Sequence, residues 1–258
     1  MTFNGARLPT APSLAALLIL SVAAYTSKTY AGPPLIILDP GVLEPGQWEV
    51  ITAVSSAAIG EDQFYTVPLL DVSLGLISER LQIAVTYPHV YADTKDNDAN
   101  WEFDNLELGA TWRFWQNERW QLALAPIYAF GVTRRTADQG IGSVGDIATL
   151  PLVAEYQINA SWRVNTSVGY ERVESADDLW SYNAALAHTF NERWELLAEL
   201  AGARNDDTGK DALDVRAGFD YALAPDFHLL VAVATGLRET DPAEKLDYEL
   251  FVGLQFTF

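Results

Sequence analysis

The sequence predicts an all-β fold, a transmembrane antiparallel up-and-down β-barrel of about 12 strands with both termini in the periplasm of a Gram-negative cell. Three observations predict it. Long segments alternate apolar and polar residues, tight turns alternate with long acidic loops, and the chain ends on an aromatic in phase with an apolar strand face.

The chain opens with an export-type leader: Arg7 supplies positive charge, Leu14 to Ala24 forms a short apolar core, and Thr29-Tyr30-Ala31 offers small residues at both cleavage positions. Residues 1–31 are therefore read as a signal peptide and 47–258 as the barrel. Between them, 32–46 is either a periplasmic lead-in or a plug for the lumen, since Leu35-Ile36-Ile37-Leu38 is apolar enough to insert. No apolar run reaches the roughly 18 residues that a membrane helix needs.

The strand pattern is clearest at the C-terminus. One phase reads Leu246, Tyr248, Leu250, Val252, Leu254, Phe256 and Phe258, and the other Asp247, Glu249, Phe251, Gly253, Gln255 and Thr257. Period two puts these sets on opposite faces. Tyr248, Leu250, Phe256 and Phe258 would form the assembly signal read by the barrel assembly machinery. The same design recurs where Leu106, Leu108, Ala110, Trp112 and Phe114 oppose Asn105, Glu107, Gly109, Thr111 and Arg113, and again around Trp162 to Glu171 and Leu213 to Tyr221. Strands are expected near 47–58, 66–76, 81–91, 103–114, 120–130, 146–157, 162–171, 180–190, 194–203, 212–222, 227–237 and 245–258. Such lengths suit a tilted strand crossing a bilayer.

Five connections are tight: Ser78-Glu79-Arg80, Asn117-Glu118-Arg119, Asn159-Ala160-Ser161, Asn191-Glu192-Arg193 and Ala224-Pro225-Asp226. The intervening loops are longer and acidic, which places turns in the periplasm and loops outside. Aromatics sort into two belts: Trp112, Trp120, Trp162, Trp194 and Phe227 near the turns, Trp180 with Tyr87, Tyr91, Trp101, Tyr128 and Tyr170 near the loops. Amphipathic rings belong at the headgroup level.

Mean hydropathy of +0.03 does not separate a soluble barrel from a membrane one, because alternation hides the membrane band in the average. A lipocalin-like barrel or β-sandwich would put the polar phase outside. It would need neither paired belts nor a terminal Phe. A net charge of −19 argues against nucleic acid as a partner. Lipids of the outer membrane and lipopolysaccharide are the expected surroundings. The absence of cysteine suits an oxidising compartment without requiring it.

The segment Gly32-Pro33-Pro34-Leu35, Asp39-Pro40 and Glu44-Pro45-Gly46-Gln47-Trp48-Glu49, followed by Pro68-Leu69-Leu70-Asp71, Leu81-Gln82 and Tyr87-Pro88, resembles the opening of a family of outer-membrane transporters named for the meta-pathway of phenol degradation. The chain departs from that opening at Leu35, Leu38 and Gln47. The resemblance implies a barrel and an association with uptake of aromatic compounds.

On the polar phase, Glu49, Asp71, Glu107, Glu155, Glu199, Asp214, Asp220, Asp247 and Glu249 stand against Arg113, Arg163 and Arg216. These are the candidate lumen-lining residues. In a wide pore they would favour cations; in a packed barrel they would form buried ion pairs. Twelve strands lie between the filled eight-stranded interior and the open channel of sixteen or more. Among the three histidines, His89 is expected to face lipid, and His188 and His228 to sit at the interface near the turns. No phosphate loop, zinc spacing or serine elbow occurs, so no catalytic residues, metal or cofactor are expected. The function predicted is a passive channel or uptake protein for small molecules, hydrophobic or aromatic ones among them. A non-conducting structural or surface-interaction barrel is the alternative, and a lipid-modifying enzyme a more distant one.

Overall fold

The computed structural model describes residues 38–95, 97–174, 176–240 and 245–258, without the side chain of Asp98. The expected leader and Gly32 to Ile37 lie outside the described residues. Fourteen ladder segments run in order: β1 (Trp48–Ile59), β2 (Asp62–Gly75), β3 (Leu81–Thr94), β4 (Asn97–Phe103), β5 (Glu107–Gln116), β6 (Trp120–Leu124), β7 (Ile127–Ala129), β8 (Ile147–Asn159), β9 (Trp162–Val173), β10 (Leu179–Asn191), β11 (Trp194–Asn205), β12 (Asp211–Ala224), β13 (Phe227–Glu239) and β14 (Leu246–Thr257). They make a closed, antiparallel 12-strand barrel, because β4 and β5 share β3 as partner and β6 and β7 share β5 and β8. Pro126, which has no N–H for a ladder, stands at the break between β6 and β7.

Closure joins β1 to β14, from Glu49 opposite Thr257 to Ile59 opposite Leu246. At the turn end, Trp48 N–H donates to Phe258 O at 2.8 Å and Phe258 N–H returns to Trp48 O at 2.9 Å. The last residue thus seals the seam with its backbone and leaves its ring outside, 71% exposed. A closed barrel has no free sheet edge, which is what hydrocarbon demands of backbone polar groups.

Leu250, Val252, Leu152, Val168, Leu186, Leu200 and Val233 are all exposed, and their neighbours on the opposite phase, Gln255, Val153, Ala185, Glu199 and Ala232, are buried. This inverts the pattern of a soluble calyx: aliphatic groups look outward and polar groups inward. No helix among the described residues is long and apolar enough to cross a membrane. The only helix described, α1 (Arg134–Asp138), is one turn capped by the Thr133 hydroxyl and carries the Arg134-Arg135 pair.

In both aromatic belts neighbouring rings meet in small clusters. Near the turns, Trp120 meets Tyr156, Trp194 meets Tyr221 and Phe219, and Phe227 stacks on Phe256 at 4.3 Å. His188 lies there between Trp162 and Phe190. Near the loops, Tyr170 meets Trp180, and His89 faces outward in a cluster with Trp101 and Phe103. The turns themselves repeat one device: Asn117, Asn159 and Asn191 each accept, through Oδ1, the backbone N–H of the second and third residues on. This asparagine turn delivers a Trp at the start of the next strand each time.

The largest departures from the expected strand bounds lie at the loop end. Segment β2 begins at Asp62 rather than 66, and the stretch expected as a loop after 91 is a hairpin in which β3 continues to Thr94 and pairs with β4. Alternating hydropathy stops where hydrocarbon stops, but backbone pairing continues into water.

Candidate functional site

The lumen is organised around the N-terminal segment. Residues Pro40, Gly41, Val42 and Leu43 are buried inside the barrel, and Leu43 N–H donates to Gln82 Oε1 at 3.1 Å. Gly46 N–H donates to Gly75 O and Gly75 N–H to Gln47 O, each at 2.9 Å. A side chain at Gly75 would meet Glu44 O at 2.0 Å, so only glycine lets the segment lie this close to β2.

Around that segment, at the turn end, a polar girdle follows the inner wall. Gln255 Nε2 donates to Glu49 Oε2, and beside it His228 Nδ1 lies 2.6 Å from Asp220 Oδ1. Asp220 stands opposite Glu195 in the ladder, and Arg163 closes on both oxygens of Glu195. Arg163 Nε also lies 3.5 Å from Glu155, which accepts from Gln121 at 3.0 Å. Gln121 in turn accepts from Arg113 Nη1 at 2.8 Å, and Arg113 Nη2 donates to Glu79 O. Higher on the β12–β14 side, Arg216 donates to Glu249 at 2.7 Å and lies 3.7 Å from Asp214, with Glu199 opposite it on β11.

The other wall is different. Glu49, Asp71 and Glu107 face a cavity of about 290 Å³ together with Asp39, Ser73, Gln82, Thr86 and an apolar surface of Ile51, Leu69, Ile127 and Phe251. Asp71 accepts from the hydroxyls of Thr86 at 2.5 Å and Ser73 at 3.3 Å.

At the loop end the segment between β7 and β8 folds inward. Ile141 is buried against Val90 and Ala92 beside Phe64. Asn105 ties both ends of this segment, donating to Phe130 O and Ser143 O and accepting from Ser143 N–H at 2.8 Å. Outside the strands, Asp146 and Asp178 accept from the hydroxyls of Tyr128 and Tyr170, which hold both carboxyls below the ordinary aspartate range.

Of the residues expected to line the lumen, Glu49, Arg113, Glu155, Glu199 and Arg216 are buried, and Arg163, Asp214, Asp220 and Glu249 lie in the ion pairs just described. Asp71 and Glu107 face the cavity. Asp247 stands apart: it is exposed at the loop end and accepts Gly60 N–H at 3.0 Å. The structure corrects the placement of His228, which is not interfacial but 3% exposed inside the barrel. Its strand reads Phe-His-Leu-Leu-Val-Ala-Val-Ala, apolar on both phases, so alternation carries no information about which face is inward. Gln82, Gln121 and Gln255 are further inward partners that counting charges does not find. Among the described residues, no three acids or histidines come close enough to hold a metal ion.

The barrel is similar to solved outer-membrane structures. The COG4313 outer membrane channel from Pseudomonas putida F1 matches with a TM-score of 0.69 at 13% identity, covering 87% of this chain and all of that one. The NanC porin matches at TM-score 0.60 and 9% identity, with 80% and 98% covered, and the KdgM porin at 0.57 and 11%, with 81% and 99% covered. These likenesses show the fold. No curated protein matches the chain by sequence. The model of the family described as "Putative MetA-pathway of phenol degradation" matches residues 69–244, and the chain belongs to that family.

Proposed function

We propose that this chain is a passive channel or uptake protein for small molecules in the outer membrane, with hydrophobic or aromatic compounds among its solutes. One observation carries the reading: the closed barrel encloses a cavity of about 290 Å³ whose lining combines carboxylates with Ile51, Leu69, Ile127 and Phe251. A lumen that mixes apolar wall with a few placed polar groups suits a small organic solute better than bulk electrolyte. The similar structures, a channel and two porins, and the family's description, which concerns phenol degradation, support the same class.

Single-channel recording in planar bilayers, paired with uptake of phenolic compounds in a deletion strain, tests it. Channel openings and slowed uptake are expected. Absence of conductance together with unchanged uptake would overturn it. The buried segment 40–43 and the paired arginines favour one second reading, a barrel that does not conduct and serves as a structural or surface element. The same recording separates the two.

A further inference from the structure

The inner wall treats its carboxylates in two ways. Glu155, Glu195, Asp214, Asp220 and Glu249 each lie within 4 Å of an arginine or of His228. Glu49, Asp71 and Glu107, which face the cavity, have no such base among the described residues, and neither lysine, arginine nor histidine lines that cavity. Among the described residues the Glu107 side chain makes no hydrogen bond either. Unlike the acids across the lumen, these three line the chamber with no base beside them among the described residues. A carboxyl left unpaired on a buried wall ionises where a cation compensates it and otherwise keeps its proton.

A second observation is independent of the acids. Gln82 is 8% exposed and lines the same cavity. Its carbonyl accepts from Leu43 N–H, and its amide N–H groups have no acceptor among the described residues. An unused donor on a buried side chain calls for an acceptor. The remaining surface, Ile51, Leu69, Ile127 and Phe251, is apolar. Among the described residues no three acids converge as a metal ion would need.

We infer that this chamber binds a compact organic cation carrying a hydrogen-bond acceptor, as a protonated aromatic or aliphatic amine bearing an oxygen does. The ammonium lies between Asp71 and Glu107, which flank Thr86 in the ladder, the oxygen accepts from Gln82, and the hydrocarbon body packs on the apolar wall. The inference rests on the channel reading above and names its class of solute. The cavity, worth about ten water volumes, limits the ligand to a small one.

Three near-isosteric probes test it on the folded, full mature barrel in detergent: phenoxyethylamine, phenoxyethanol and phenoxyacetate, titrated by calorimetry. The amine is expected to bind, and the alcohol and the acid to bind at least roughly tenfold more weakly, given one unit charge at short range. E107Q and D71N are expected to weaken the amine by a similar factor. Q82L should weaken phenoxyethylamine but leave phenylpropylamine, which lacks the oxygen, unchanged. Heat-modifiable gel migration confirms that each variant is folded, and E107Q removes no hydrogen bond, so its folding is the safest. Equal binding of the three probes, or amine affinity within twofold of wild type in folded E107Q and D71N, would overturn the inference. If the barrel conducts without preference among the probes, this chamber fails and the channel reading stands. If it conducts nothing, the channel reading fails and calorimetry still decides the chamber.

Discussion

Arg163 on β9 spans the intervening strand β10 and closes both of its terminal nitrogens on the carboxylate of Glu195 on β11, with Nη2 2.6 Å from Oε1. Thr189 of β10 adds its hydroxyl to the same carboxylate at 2.8 Å. One guanidinium therefore staples three strands from within.

Removing that arginine strands Glu195 and Glu155 in the lumen. R163M is expected to destabilise the barrel by about 3–5 kcal/mol, whereas R163M/E195L should recover most of the loss, because both partners of a buried pair are then replaced by packing groups. Urea unfolding in phospholipid vesicles, followed by tryptophan fluorescence, measures both. Equal stability of R163M and wild type would refute the buried pair.

The contact of Gly75 with Glu44 O predicts that G75A displaces the N-terminal segment from the lumen. The expected outcome is a conductance several-fold above wild type together with protease cleavage near 38–46, as a Cβ forced to about 2 Å from a carbonyl cannot be absorbed by either strand. Unchanged conductance and unchanged cleavage would mean that the segment accommodates the methyl group in place.

Leu250 and Glu249 are adjacent and face opposite media. L250R should cost about 2–4 kcal/mol in a bilayer if that position lies near the midplane. The same change in a detergent micelle should cost less, since the micelle deforms around the charge. An L250R barrel as stable as wild type in vesicles would place this face away from hydrocarbon.

Asp178 lies outside the strands, and the Tyr170 hydroxyl donates to it at 2.6 Å, holding its carboxyl below the ordinary aspartate value. A carboxylate depressed on folding lends stability that is fully present above the unfolded value and is lost as pH falls through the folded one. Y170F should therefore raise the Asp178 titration midpoint toward the ordinary range and shift the onset of acid loosening of the β9–β10 loop to higher pH. Carboxyl NMR titration reads the first and hydrogen exchange the second. A midpoint unmoved by Y170F would deny the bond.

Much of this was legible in the chain. Period-two alternation around Leu246 to Phe258 identifies both faces of β14, and the Asn-x-x-Trp recurrence at 117, 159 and 191 locates three turns and the aromatic that follows each. His228 was not legible, because an apolar strand carries no phase. The extension of β3 and β4 was not legible either, because polar residues beyond the bilayer pair as readily as apolar ones within it.

By itself the sequence determined that the strands cross a membrane: hydrocarbon must be met by side chains of one phase, and a residue cannot change phase without moving the whole strand. Which interior acids are compensated was decided only by tertiary structure. Arg163 reaches Glu195 across a strand, and Leu43 reaches Gln82 across 39 positions of chain. Barrel closure sets those distances through the stagger of every ladder, and no local pattern encodes that sum.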